Sequence, residues 1–415
     1  MNAMKSMLLI AVFCLVSMYV FGSLSNNHTA CSEIKRNKPH ASITMLGTFE
    51  EGQSYRNAVP EADYKQIRKA AFNVQTSFRR EGDTFISYSH NGDYKIEKTV
   101  STGADGSDRV ITTLFDRGAR RIWEGETGFN VIVSNNGRNL VSSSLDNVGL
   151  TFHDTGFSAP LVTYPGEWRI MRFSDDGRFL IATTRKHLYL FTADGVALWD
   201  AEFRRHGGLD AIISRDGSYI LVNDRIAQPT GERHPGPETG EPEEKQEKEA
   251  GPVEFRGMKA PPVRLGPESE CSATLLRNDG SVVRQIALSL SHPHYLCFSP
   301  DDGTYAAIAG GEKIAFIDSE SGEIIWIYTV GEPGYWIGPI AVSEGGRYLA
   351  MGAADGRSES SPDMRFVLLD MGGDKIGQIE TEYTGNGIAF SEDARYLVVW
   401  NNGLERLKIM EVTYE

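Results

Sequence analysis

The chain has 415 residues, 43 of them glycine, and a formal net charge of −14 at neutral pH. That length exceeds one ordinary domain and suits either two domains or a single large all-β ring. So acidic a surface repels a phosphate backbone, and no basic stripe or zinc-finger spacing offsets it, so nucleic-acid binding is disfavoured.

The first element is "MNAMKSMLLIAVFCLVSMYVFGSLSNN". Lys5 precedes an apolar run from Met7 to Leu24, with the small residues Gly22, Ser23 and Ser25 at its end. Residues 1–25 are expected to be a signal peptide or a membrane anchor. The run is short enough for a cleaved h-region and long enough, against the roughly 17–25 residues a bilayer needs, for an uncleaved span. Both readings export the rest of the chain, so an extracytoplasmic location, periplasmic or secreted, is expected. Membrane contact would come through this segment if it is not cleaved. A buried core helix is the third reading, and nothing amphipathic follows to favour it. Cys31 lacks the aliphatic residue of a bacterial lipoprotein signal before it, and Cys14 lies inside the apolar run. Cys271 and Cys297 are too few for a disulfide framework and leave a single bridge open. Asn27-His28-Thr29 is a glycosylation sequon, which matters only on a eukaryotic secretory route.

Residues 26–71 read as a linker. It holds one candidate strand, "SITMLGTF" (Ser42–Phe49), and a short helix over Pro60–Ala71 with proline near its start. Residues 72–415 read as one repeat architecture. "IVSNNGRNLVSS", "RFSDDGRFLIATT", "IISRDGSYILVN", "CFSPDDGTYAAIA", "AVSEGGRYLAMG" and "AFSEDARYLVVW" share one pattern, and "SYSHNGDYKIEK" is a weaker copy. The serines before the turns are Ser89, Ser134, Ser174, Ser214, Ser299, Ser343 and Ser391, at spacings of 45, 40, 40, 85, 44 and 48. Seven units with a period near forty indicate a repeat fold, and the long gap is one period plus an insertion. In each unit an apolar run forms a buried strand and a turn built on Gly reverses the chain. A residue such as Phe179, Tyr219, Tyr305, Tyr348 or Tyr396 starts the next strand, and two further strands follow. Such a four-stranded sheet buries both faces only against a copy on either side, which closing a ring supplies.

These repeats resemble the seven-bladed β-propellers of the broad WD-repeat, YVTN and PQQ-like group. The expected fold is therefore all-β, a seven-bladed β-propeller of four-stranded antiparallel blades. The PQQ-like element is Asp, then Gly, then Trp, in Phe115–Trp123, Phe191–Trp199 and Ile317–Trp326. The resemblance implies that each Trp packs between blades. Trp199-Asp200 occurs once, and true WD-repeat signatures are otherwise missing. The last unit lacks a fourth strand, and propellers of this group often borrow one from the opposite terminus. Phe72–Phe78 ("FNVQTSF") is assigned that place.

The insertion, residues 226–270, is rich in Pro, Glu and Gly and is expected to be disordered. It separates the second and third strands of its blade. That connection shares one face of a propeller, here the top, with the loops between blades. Ser101–Arg109 and Gly352–Arg365 read as enlarged loops on the same face. The inter-blade loops add Tyr164 and Trp168, then Arg204, Arg205 and His206, then His292, His294 and Tyr295, then Glu332, Tyr335 and Trp336. Clustered aromatics and Arg are what protein-binding hot spots use. Trp168, Arg204, Arg205, His206, His294, Tyr295, Tyr335 and Trp336 are thus the candidate partner-binding residues, with wedging between blades as the competing role for Trp168 and Trp336. His292 and His294 are the metal candidates, joined by His206 and Glu332, although a His pair two residues apart in a loop is usually just polar.

No nucleophile elbow, zinc-protease helix, P-loop or dinucleotide fingerprint occurs. The resemblance does not carry quinone chemistry, because the adjacent-cysteine ring of quinoproteins is missing. No cofactor is expected. The reading is a non-catalytic, monomeric ring that binds a protein partner in a scaffolding or assembly role at the cell envelope. The alternative is a small-molecule- or metal-binding enzyme of hydrolase or lactonase type, with its site in the central funnel.

Overall fold

The computed structural model describes residues 41–50, 79–81, 84–89, 91–102, 108–143, 149–157, 159–169, 171–185, 187–203, 210–223, 263–264, 273–286, 293–331, 335–355, 364–381, 387–400 and 406–414. Within them are seven sheets, six built on an antiparallel meander of four successive strands and the seventh on three such strands plus one from far earlier in the chain. Blade I comprises Thr84–Tyr88, Lys95–Thr102, Asp108–Phe115 and Arg121–Thr127. Blade II comprises Asn130–Val133, Asn139–Ser143, Gly149–Asp154 and Pro160–Pro165. Blade III comprises Met171–Phe173, Phe179–Thr183, His187–Thr192 and Ala197–Glu202. Blade IV comprises Asp210–Ile213, Tyr219–Asn223, Ala273–Arg277 and Val282–Ile286. Blade V comprises Pro293–Phe298, Tyr305–Gly310, Lys313–Asp318 and Ile324–Thr329. Blade VI comprises Tyr335–Val342, Tyr348–Asp355, Met364–Asp370 and Lys375–Thr381. Blade VII comprises Gly387–Phe390, Tyr396–Trp400 and Arg406–Tyr414, with Ala41–Glu50 as its fourth strand. This is a seven-bladed β-propeller.

The serine turn recurs for a chemical reason. Ser174 Oγ donates to Asp176 Oδ1 at 2.6 Å and accepts the Phe179 amide at 3.1 Å, while Asp176 Oδ1 accepts the Arg178 amide at 3.0 Å. The same serine-to-side-chain bond forms from Ser89 to Asn91, Ser134 to Asn136, Ser214 to Asp216 and Ser391 to Asp393. Each buried hydroxyl thereby satisfies a turn amide that would otherwise be stranded. Successive turns are also tied together. Asn135 Nδ2 donates to the Asp175 carbonyl at 2.9 Å, the Asp176 amide to Arg215 O at 3.1 Å, and Arg215 Nη1 to Pro300 O at 3.3 Å.

The turn glycine has a second duty. Gly137, at φ 70°, lies beneath the ring of Tyr94 from the preceding blade, so that a Cβ there would fall 2.2 Å from Tyr94 Cε1. Gly346, at φ 64°, lies beneath Tyr305 in the same way. The aromatic that starts a second strand therefore covers the next blade's turn.

The Asp-Gly-Trp tryptophans also join blades. Trp123 Nε1 donates to Phe157 O at 3.1 Å, Trp199 Nε1 to Asn278 O at 2.7 Å, and Trp326 Nε1 to Met371 O at 2.9 Å. Each acceptor sits in the third-to-fourth-strand turn of the following blade. Apolar clusters fill the seams I/II through VI/VII.

Two expectations are corrected. The strand completing blade VII is Ala41–Glu50, which pairs antiparallel with Arg406–Tyr414 from Ala41↔Tyr414 to Glu50↔Arg406. Phe72–Phe78 lies outside the described residues, and the position assigned to it is taken. The insertion is not wholly structureless either, because Val263–Arg264 pairs parallel with Ala201–Glu202 on the outer edge of blade III. Cys297 is a free thiol, and Cys271, the partner that the cysteine count left open, lies outside the described residues. One further strand, Arg79–Glu81, pairs with Thr84–Tyr88 on the inner edge of blade I. The proposed signal or anchor segment and the helix over Pro60–Ala71 lie outside the described residues. Among the described residues no helix is long and apolar enough to cross a membrane.

Candidate interaction surface

Strand order places the serine turns and the third-to-fourth-strand turns at one end of every blade. The second-to-third connections and the inter-blade loops lie at the other end, the top. The enlarged connections are shorter than the sequence suggests. Thr102 and Asp108 already belong to strands, as do Asp355 and Met364, so only 103–107 and 356–363 lie between them.

The candidate residues separate sharply. Trp168 is 1% exposed. Its ring packs 5.0 Å from Tyr189 and 6.0 Å from Phe191, and Nε1 donates to Tyr164 O at 3.3 Å. It wedges between blades II and III and presents no face to a partner, so its place among the binding residues is withdrawn. Tyr164 is half-buried beside it, its hydroxyl donating to Gly195 O at 2.5 Å. Arg204, Arg205, His206, His292 and Glu332 lie outside the described residues, as does the side chain of His294. Tyr295 is half-buried against the core of blades V and VI, and burial raises its hydroxyl pKa.

The remaining two candidates are neighbours in one strand, with side chains on opposite faces of blade VI. Trp336 is 54% exposed at the top of the innermost strand of blade VI. Tyr335 beside it lies under the Arg365 guanidinium, 4.9 Å from ring centroid to Cζ. Arg365 Nη2 is 3.1 Å from Glu380 Oε1, which fixes the guanidinium over the ring. Tyr328, at the end of the outer strand of blade V, is held above the usual tyrosine range by burial, which the positive charge of Arg365 partly opposes. An ordered Arg–Tyr stack thus lines the V/VI junction, while the largely exposed indole of Trp336, opposite Ala354, lies on the other face of blade VI. Sequence reasoning missed Arg365, Glu380 and Tyr328. Arg365 was assigned to the end of an enlarged loop, whereas the register Ala353↔Arg365↔Glu380 puts it in the sheet.

A second polar locus lies inside the ring. Ser87, Lys98 and Thr112 are each 0% exposed. The registers Ser87↔Ile96, Phe85↔Lys98 and Lys98↔Thr112 put them on the face of blade I that carries Ile96. That face looks at blade II, since Ile96 clusters with Val131, Val133 and Leu140. Lys98 Nζ donates to Phe129 O at 3.0 Å and sits 5.0 Å from the Phe129 ring centroid. Desolvation lowers its pKa from 10.5 to about 7. On the opposing face of blade II, Ser142 Oγ is 3.3 Å from His153 Nε2. His153 stacks edge-on to Trp123 at 5.6 Å, and burial pushes its pKa below the ordinary value. Ser87 Oγ and His153 Nδ1 are buried without a hydrogen-bond partner. Among the described residues no three His, Cys, Asp or Glu side chains gather as a metal cluster.

No family model matches the chain, and no curated protein matches it. Solved structures do. The chain is similar to a eukaryotic initiation factor at 14% identity and TM-score 0.51, covering 81% of this chain and 78% of that one. It is also similar to the β-propeller domain of Cps50 (Swd1) from Myceliophteria thermophila, at 10% identity and TM-score 0.44, covering 82% of this chain and 100% of that one. At such identities the first likeness supports the fold alone, and the second adds nothing to it.

Proposed function

We propose that the protein is a non-catalytic, extracytoplasmic propeller that binds a protein partner through the top of blades V and VI and serves as a scaffold at the cell envelope. The observation that carries the reading is Trp336. An indole 54% exposed at the top of an innermost strand, in a blade whose other face carries a Tyr–Arg stack ordered by Glu380, has the composition of an interface anchor on a rigid support. The location rests on the apolar run from Met7 to Leu24.

The test is crosslinked affinity purification from native membranes with the intact protein, with Trp336→Ala and with a paired His292→Ala/His294→Ala variant. A partner retained by the intact protein and by the histidine variant, but lost from Trp336→Ala, supports the reading. Equal retention by Trp336→Ala removes the top of blades V and VI from recognition. Fractionation of the same cells, with the N-terminus of the mature chain sequenced, tests export and cleavage.

A further inference from the structure

Outer strands of a propeller leave one row of backbone groups unpaired, and proteins guard such edges with charge, proline or a covering segment. Blade by blade this ring does so. Blade I exposes Arg121, Glu124 and Glu126, and blade VI exposes Lys375, Gln378 and Glu380. Blade IV exposes Arg284 and Gln285 beside Val282. Blade II begins and ends its outer strand with Pro160 and Pro165, and blade VII exposes Ser42 and Thr44. The outer edge of blade III is covered by Val263–Arg264 of the chain itself.

Blade V departs from this. Its outer strand, "IIWIYT" (Ile324–Thr329), has no charged residue and no proline. Trp326 and Tyr328 pack toward blade VI, while Ile325 and Ile327 are 41% and 50% exposed on the other face. Among the described strands it pairs on one side only. Carboxylates bracket it. Glu323 precedes it, Glu320 is exposed in the same turn, and the exposed Glu312, whose backbone carbonyl accepts the Val330 amide at 2.9 Å, lies at its far end. Lys313, opposite Thr329, and Arg284, near Gly322, offset part of that charge in a chain whose total is −14.

We infer that the outer edge of blade V is a strand-addition site for an extended segment of another protein, one with β-branched side chains alternating on one face and Lys or Arg at its ends. Main-chain hydrogen bonds would supply affinity, and cross-strand contact with Ile325 and Ile327 would set the register. The Val263–Arg264 pairing shows that an outer edge of this ring accepts a further strand. The site lies apart from the top-face surface proposed above and does not depend on it.

The test uses the full chain and a dye-labelled peptide, Lys-Lys-Val-Thr-Val-Thr-Val-Lys-Lys, read by fluorescence anisotropy. Its twin with glutamates in place of the lysines is read beside it. The basic-ended peptide is expected to bind about tenfold or more tightly than its acidic twin, and less tightly as salt rises. Ile327→Lys should weaken binding about tenfold or more, Ile327→Thr less, and Trp336→Ala not at all. Circular dichroism shows whether each variant keeps its fold, and Ile327→Thr carries the test if the lysine variant does not. Equal binding of both peptides, or binding unchanged by both Ile327 variants, overturns the proposal. So does concentration-dependent self-association that Ile327→Thr abolishes while no peptide binds, because the occupant would then be a second copy.

Discussion

Between blades V and VI the seam is a continuous apolar cluster running from Ala307 and Phe316 through Ile337 and Met351 to Leu369. Between blades I and II the cluster is smaller, Ile96, Leu114, Trp123, Val131, Val133 and Leu140, and the remaining space holds Ser87, Lys98, Thr112, Ser142 and His153. The turn device is the same on both sides, since Tyr94 covers Gly137 as Tyr305 covers Gly346. What differs is the layer above it. One scaffold thus tolerates two kinds of filling, and they should respond differently to pH and to truncation.

The largest expected effect tests the apolar seam. Phe316 is 1% exposed and stacks 5.2 Å from Tyr305 and 5.0 Å from Trp326. Phe316→Ala should cost about 3–5 kcal/mol in urea denaturation, with no pH dependence between neutral and mildly alkaline conditions. Next comes the shared turn. Gly137→Ala and Gly346→Ala should each cost about 2–5 kcal/mol, from a left-handed backbone plus a clash with the covering ring. Gly345 shares a positive φ of 67° but has open space at its Cβ position, so Gly345→Ala should cost only about 1–2 kcal/mol. If Gly137→Ala costs no more than Gly345→Ala, the covering-ring account fails.

The third prediction separates the seams. Lys98 holds a proton up to pH 10.5 when unfolded but only up to about 7 when folded. Across that window the unfolded chain binds more protons, so stability rises as pH increases from about 7 toward 10.5 and receives no Lys98 contribution to its slope below 7. His153 adds a rise of the same sign at lower pH, approaching its ordinary 6.5. Replacing the buried amine by Lys98→Met should stabilise the neutral-pH protein by about 1–4 kcal/mol and flatten the alkaline rise. Denaturant midpoints between about pH 7 and 9, below the range where tyrosines ionise, read both. An unchanged slope in Lys98→Met would assign the rise to another group. The smallest effect belongs to Ser87, whose buried hydroxyl makes no hydrogen bond. Ser87→Ala should be neutral or stabilising by at most about 1 kcal/mol, whereas Ser174→Ala, which strands a turn amide, should destabilise.

Much of this ring is legible in the sequence because its signals are local. A serine two residues before Asn or Asp and a glycine before an aromatic encode the turn directly, and the Asp-Gly-Trp turns place the interblade tryptophans. The closing strand was misassigned because alternation alone does not choose between Phe72–Phe78 and Ala41–Glu50. Length does, since the nine residues of Arg406–Tyr414 are matched by the ten of Ala41–Glu50 and not by a seven-residue segment. Trp168 was misread because an aromatic in a loop looks exposed until the neighbouring blade is seen to enclose it. Lys98 is invisible for the converse reason. In "KIEKTVST" a lysine two residues from Ile96 reads as a solvated strand position, and only blade II buries it. At the candidate interaction surface Tyr335 and Trp336 could be named beforehand. Arg365 and Glu380 could not, because their meeting depends on register.

The pairing of Ala41 with Tyr414 joins positions nearly the whole chain apart. On a ribosome, the strand that seals blade VII emerges before the other described strands of the ring, and its partner after them. For most of synthesis Ala41–Glu50 is an edge without a mate, and blade VII cannot form until the rest of the ring stands ready to receive it. Closure of so distant a contact is slow by nature, and the interval before it is when the nascent chain is most open to wrong pairings.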